Sequence, residues 1–173
     1  MDERTSRVMT KVYSNRCRAV AGTALAALLL LVGCSSELPP PGEMAQGQEA
    51  YLRWCASCHG NQGEGKPPTF PPLAGSEWLD LSDEALALII LYGLRGEIEV
   101  MGQIYRGYMP PMQHLRDQDI ADIVLFMRNA WTDREAHLDA AAVAELRTVF
   151  PGRRPPLEGL EGLLEAVEFV ESR

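Results

Sequence analysis

The sequence predicts an all-α domain, and three observations carry that prediction. In "RDQDIADIVLFMRNAW" (116–131), Ile120, Ile123, Val124, Met127 and Trp131 recur at helical spacing. In "LSDEALALIILYGLRG", Ser82 precedes the acids Asp83 and Glu84 and glycines close the run, the start and stop signals of a helix. Finally, no run of alternating apolar and polar residues stands out as a strand.

Taken in order, the first 33 residues carry Arg4, Arg7, Lys11, Arg16 and Arg18 against Asp2 and Glu3. They lead into "AVAGTALAALLLLVG", 15 uncharged residues. A membrane span wants ~20 apolar residues, so this run fits the core of a secretory signal better. It ends in "LVGC", which resembles the lipobox of bacterial lipoproteins; that resemblance implies lipid on Cys34 and a mature chain starting there. Met9 is a more usual signal start than Met1. "SSELPPPGE" (35–43) reads as an extended tether, so residues 34–43 hold the domain off a membrane.

"EMAQGQEAYLRWC" follows as a short helix with Ala50, Tyr51 and Trp54 on one side. "HGNQGEGKPPTFPPLAGS" is a Gly- and Pro-rich loop. After the Ser82-capped helix, "EIEVMGQIYRGYMPPMQHL" reads as loop with extended pieces, and Asp117 as the N-cap of the strongest helix. "DAAAVAELRTVF" and "LEGLEGLLEAVEFVES" are further helical patterns, the second weakened by Gly159 and Gly162. In that last stretch Leu157, Leu160, Leu164 and Val167 share a stripe beside Glu158, Glu161, Glu165 and Glu168. It reads as a packed helix with a solvated acidic face, or else as a docking element for a basic partner. The core domain is assigned to 44–134 and a helical extension to 135–173.

Charge narrows the partners. The whole chain stands at −8; without the leader's five basic and two acidic residues, 11 basic face 22 acidic, or −11. Nucleic acid is a poor partner for such a surface, and a protein with a basic docking patch is a good one.

Of four cysteines, Cys17 leaves with the leader and Cys34 takes lipid, so Cys55 and Cys58 remain, in "CASCH" with His59. A disulfide is allowed by an oxidising compartment. A thioredoxin-like pair wants a βαβ setting, and a structural zinc site wants four ligands where no second cysteine pair exists. C-x-x-C-H is the signature of covalent haem attachment. The chemistry asks for this spacing: two thiols add to vinyl groups on one porphyrin edge, and the adjacent imidazole reaches iron from the same side.

Residues 44–134 resemble a class I, monohaem cytochrome c: a first helix into "CASCHG", the loop "FPPLAGSEWL", "MPPM", then a long helix. The stretch "GEIEVMGQIYRGYMPPM" is similar to small cytochromes serving terminal oxidases, copper nitrite reductases or quinoprotein dehydrogenases. Among the thioethers and imidazoles available to complete the iron, Met127 belongs to a helix face and Met44 sits too near the attachment site. His137 is a further candidate on composition alone. Met109 precedes Pro110, which keeps it extended and stiff. The resemblance implies Met109 as well, because the family's axial methionine directly precedes a proline. Met112 is the alternative, then Met101 and His114. Methionine and histidine together raise the iron's potential. The resemblance further implies that His59 donates its second N–H to Pro71, with Pro72 the alternative, and that Leu73 packs on the ring. Trp78 and Tyr105 either reach a propionate or pack on the haem. Gly47 and Tyr51 are expected against Ile123 and Phe126.

With both axial positions taken by protein, no site is open for a substrate. The expected function is one-electron transfer by one covalent haem c, on the periplasmic face of a membrane, with redox protein partners. A fixed electron-outlet subunit of a dehydrogenase or nitrite reductase is the alternative, and a haem-based gas sensor a further one if Met109 does not ligate.

Overall fold

A computed structural model describes residues 45–150 and 156–173; the leader, Cys34, the tether and Met44 lie outside the described residues. In chain order the elements are α1 (Gln48–Trp54), α2 (Ala56–His59), a 3-10 turn (Glu77–Asp80), α3 (Asp83–Tyr92), β1 (Leu94–Val100), β2 (Gln103–Met109), α4 (Asp117–Trp131), α5 (Ala140–Val149), β3 (Leu157–Glu158) and α6 (Gly159–Glu171).

Local chemistry sets the helix starts. Ser82 Oγ accepts from Ala85 N at 3.1 Å, and Asp139 Oδ1 accepts from Ala142 N at 2.8 Å. Asp117 departs from expectation. Arg116 occupies the N-cap and Asp117 the first helical position. Its carboxylate is drawn instead to the Arg147 guanidinium, 2.5 Å away.

α1 crosses α4 closely enough that Gly47, at φ +80, admits no side chain: a Cβ there would lie 1.8 Å from Asp122 O. Next along the crossing, the Tyr51 ring meets Phe126 at 5.3 Å and Trp131 at 5.2 Å. The expected partner Phe126 is thus present; Ile123 is buried in the same core and lines the cavity described below. Leu88 and Leu91 of α3 and Ile120, Ile123 and Val124 of α4 are wholly buried, each worth about 1.5–3 kcal/mol relative to exposure.

The all-α expectation needs correction. The segment read as loop with extended pieces, together with Leu94–Gly96 before it, is an antiparallel hairpin, with Leu94 opposite Met109, Ile98 opposite Tyr105 and Val100 opposite Gln103. β3 adds to β1 in parallel, giving the order β2-β1-β3. The physical reason lies in "LRGEIEV": Leu94, Ile98 and Val100 alternate with charged residues, though Gly96 interrupts the pattern. The hairpin turn is Met101-Gly102, with φ +52 and +75, the two positive values a two-residue type I′ turn demands. Glu77 fastens this turn, its carboxylate accepting from Met101 N at 2.9 Å.

The described residues beyond Trp131 pack on the same unit as those before it. Val143 and Leu146 of α5 and Leu163 and Ala166 of α6 are buried. Arg128, 1% exposed, binds Asp83 at 2.8 Å and donates to the carbonyls of Leu79 and Leu81. Asp83 also accepts from His137 N at 2.7 Å, tying the extension to the start of α3. The expected stripe of α6 is rotated. Leu163 and Ala166 face the core with Leu157, while Leu160 and Leu164 are about half exposed. The β3 pairing fixes where α6 begins, and that sets which side turns inward.

Candidate functional site

The last turn of α1 runs into α2, with Cys58 N and His59 N both bonded to Cys55 O at 3.1 and 3.0 Å. One turn therefore gathers two thiols and an imidazole, as residues three and four apart share a helix face. Both cysteines are free. Burial, aided by the nearby Cys58, pushes the Cys55 thiol up to about 12. Protonated at neutral pH, it is a poor thiolate nucleophile or metal ligand as it stands. Among the described residues, no three His, Cys, Asp or Glu side chains converge as a metal site.

The loop after α2 folds back on itself. Gly65 N bonds His59 O at 2.7 Å, and Leu73 N and Ala74 N bond Gly63 O at 2.7 and 3.0 Å. Gly65, at φ +70, lets the prolines close in: a Cβ there would lie 2.5 Å from Pro72 N. Pro71 O is thereby brought 2.9 Å from His59 Nδ1. A carbonyl only accepts, so the proton sits on Nδ1 and the Nε2 lone pair is free. Burial lowers the pKa of His59, with the bond to Pro71 opposing it, so the ring is a neutral ligand rather than an imidazolium at neutral pH.

His59 borders a cavity of about 430 Å³ that also takes Cys55, Cys58, Pro71, Leu73, Trp78, Tyr105 and Met109 into its wall. Pro72 and Met112 line it too, as does Met127. Three other candidates do not. Met101 is 58% exposed at the hairpin turn, His137 is exposed, and His114 meets the Trp54 ring edge-on at 5.2 Å in a separate groove. Trp78 spends its indole N–H on Glu99 O at 2.8 Å, which leaves its ring for packing. Tyr105 is 2% exposed.

Sequence reasoning missed half of this wall. Leu86, Ile89 and Ile90 come from α3, and Leu94, Ile98 and Val100 from β1. The alternation in "LRGEIEV" was the signal for the second set. The hairpin also delivers Met109: β2 ends on it, opposite Leu94, and Met112 N bonds Ile90 O at 2.9 Å just beyond.

The donor set fits a covalent haem. Two free thiols and one imidazole with an open Nε2 come from a single turn, thioethers come from a distant segment, and the wall between is overwhelmingly apolar. The volume lies within the ~300–1,000 Å³ usual for cofactor and ligand sites.

Residues 44–131 match the family model for cytochrome c. The chain is 42% identical over 93 residues to cytochrome c-552 of Thermus thermophilus, covering 51% of this chain and 70% of that protein. It is 33% identical over 122 residues to the cytochrome c subunit of a quinone alcohol dehydrogenase from Gluconobacter oxydans, covering 62% of this chain but 23% of that subunit. With cytochrome c4 of Pseudomonas aeruginosa it shares 31% identity over 109 residues, 59% of this chain and 45% of that protein.

Proposed function

The chain belongs to the cytochrome c family, whose members carry covalent haem c and move electrons rather than turn over a substrate, and on that premise we propose a membrane-anchored one-electron carrier with His59 and Met109 as axial ligands. Cys55 and Cys58 form the thioether links. When bound, the haem supplies an Fe(III)/Fe(II) couple whose potential methionine–histidine ligation raises.

One observation carries this reading: the Nδ1–H of His59 bonds Pro71 O at 2.9 Å within the cavity that Met109 also borders. Pro71 holds the imidazole in one tautomer and one direction, with Nε2 presented for ligation. Leu73, Ile89, Ile90 and Ile98 keep water from the ring faces, and Tyr105 offers its phenol to a propionate. Met109 is favoured over Met112 by its place at the end of a paired strand and ahead of Pro110.

The localisation we propose is the periplasmic face of a bacterial membrane, with lipid on Cys34 and residues 34–43 as the tether. It rests on the basic leader, its apolar run and "LVGC". Among the described residues, no helix is long and apolar enough to cross a membrane. The partners are redox proteins with a basic docking surface, matched to the net −11 of the chain from Cys34 on. A second reading, a fixed electron outlet of a dehydrogenase, is favoured by the likeness to the alcohol dehydrogenase subunit.

Paired substitutions test the ligand. Met109→Ala is expected to abolish the weak near-infrared sulfur-to-iron band of the ferric protein, lower the potential and admit carbon monoxide to the ferrous protein. The same losses in Met112→Ala, with Met109→Ala unaffected, transfer the role to Met112. Rapid carbon monoxide binding by the unaltered protein favours the gas-sensor alternative instead.

A further inference from the structure

We propose that Arg147, which lies beyond the stretch that matches the family, is a positioning residue for the methionine loop and sets how readily the Met109 thioether leaves the iron. The inference rests on the His59/Met109 reading above. Its basis is the geometry of one guanidinium. Arg147 Nη1 donates to Gln113 O at 2.6 Å, Nη2 donates to Leu115 O, and Nε donates to Asp117 Oδ1 at 2.5 Å. A planar fork thus holds two loop carbonyls and the first residue of α4 in fixed relation.

The anchor behind that fork is firm. Val143 is wholly buried and Leu146 is 3% exposed, and the Tyr92 hydroxyl donates to Leu146 O at 3.1 Å. Tyr92 is also the last residue of α3, next to Gly93, over which the Met109 carbonyl lies. The loop is therefore held at both ends. Strand pairing and α3 hold residues 109–112, and the extension holds 113–117. Freeing the second end lets residues 113–117 move away from α5, and slack there reaches Met109 through Pro110 and Pro111. A lysine at 147 keeps the charge but cannot span three acceptors as a fork does.

The test uses ferric holoprotein and cyanide, which binds only after the thioether departs. Arg147→Ala removes all three contacts and is expected to speed cyanide binding about tenfold or more, since even one lost charge-assisted hydrogen bond supplies about that change. Arg147→Lys is expected to fall between Ala and the unaltered protein, and it stands as the test if the Ala form fails to assemble. Leu163→Ala serves as a control that loosens the extension without touching the loop, compared at temperatures equally far below each melting point. Binding within about twofold of the unaltered rate in the Arg147 variants overturns the proposal, as does equal acceleration by Leu163→Ala. If the unaltered protein lacks the sulfur-to-iron band, or Met109→Ala keeps it, the ligand assignment itself falls. If the band depends on Met109 but Arg147 variants bind cyanide normally, only the role of Arg147 falls.

Discussion

The backbone of Met109 lies where a side chain on Gly93 would stand: a Cβ at Gly93 would come 2.4 Å from Met109 O and 2.8 Å from Pro111 N. Gly93 also sits at φ +73, so both space and conformation demand glycine. Gly93→Ala is expected to displace the start of the methionine loop and destabilise the holoprotein by about 2 kcal/mol or more, from strain at a positive-φ extended conformation (φ +73, ψ 175) plus a clash with unyielding backbone. The near-infrared band reads the first effect and denaturant unfolding the second. A variant with native stability and a full band would mean that the loop tolerates a shift.

Covalent attachment has a chemical test. The haem of the unaltered protein is expected to survive acid–acetone extraction. Cys55→Ala or Cys58→Ala leaves at most one thioether, and little stable holoprotein is expected to accumulate. Haem that extracts freely from the unaltered protein would remove the thioether assignment.

Arg128 is 1% exposed in the heart of the fold, paired with Asp83 and bonded to two carbonyls. Arg128→Ala leaves that carboxylate and both carbonyls short of a donor. A loss of about 3–5 kcal/mol is expected, the usual cost of stranding one partner of a buried pair. Guanidinium unfolding of the holoprotein measures it. A loss below about 1 kcal/mol would mean that water makes good the lost donors.

Cys34→Ser removes the proposed acyl site and is expected to release the protein from membranes into the soluble fraction. Membrane-bound protein after fractionation of this variant would make the leader, rather than lipid, the anchor.

Some of the site was legible in the sequence and some was not. Cys55, Cys58 and His59 fall within five residues, so one helical turn suffices to bring them together and no distant contact is needed. The Ser82 cap and the apolar face of α4 are equally local. The extended pieces were expected but their pairing into a hairpin was not, because Gly96 and the charged residues of "LRGEIEV" weaken a pattern that only pairing with β2 makes stable, and strand preference depends on such context. The α6 stripe was misread because helical spacing defines faces but not which one turns inward.

By itself, then, the sequence determined what a few consecutive residues decide: the attachment motif, the Ser82 helix start, the basic leader, and Met109 as a stiff candidate ahead of Pro110. Tertiary structure alone decided that His59 bonds Pro71 O rather than Pro72 O, since loop folding around Gly63 and Gly65 selects the carbonyl. It likewise separated Met109 and Met112, which share the cavity, from Met101 and His114, which do not. And it joined Arg147 to a loop some thirty residues earlier. Those choices depend on the packing of distant segments, whose many weak contacts leave no mark on local spacing.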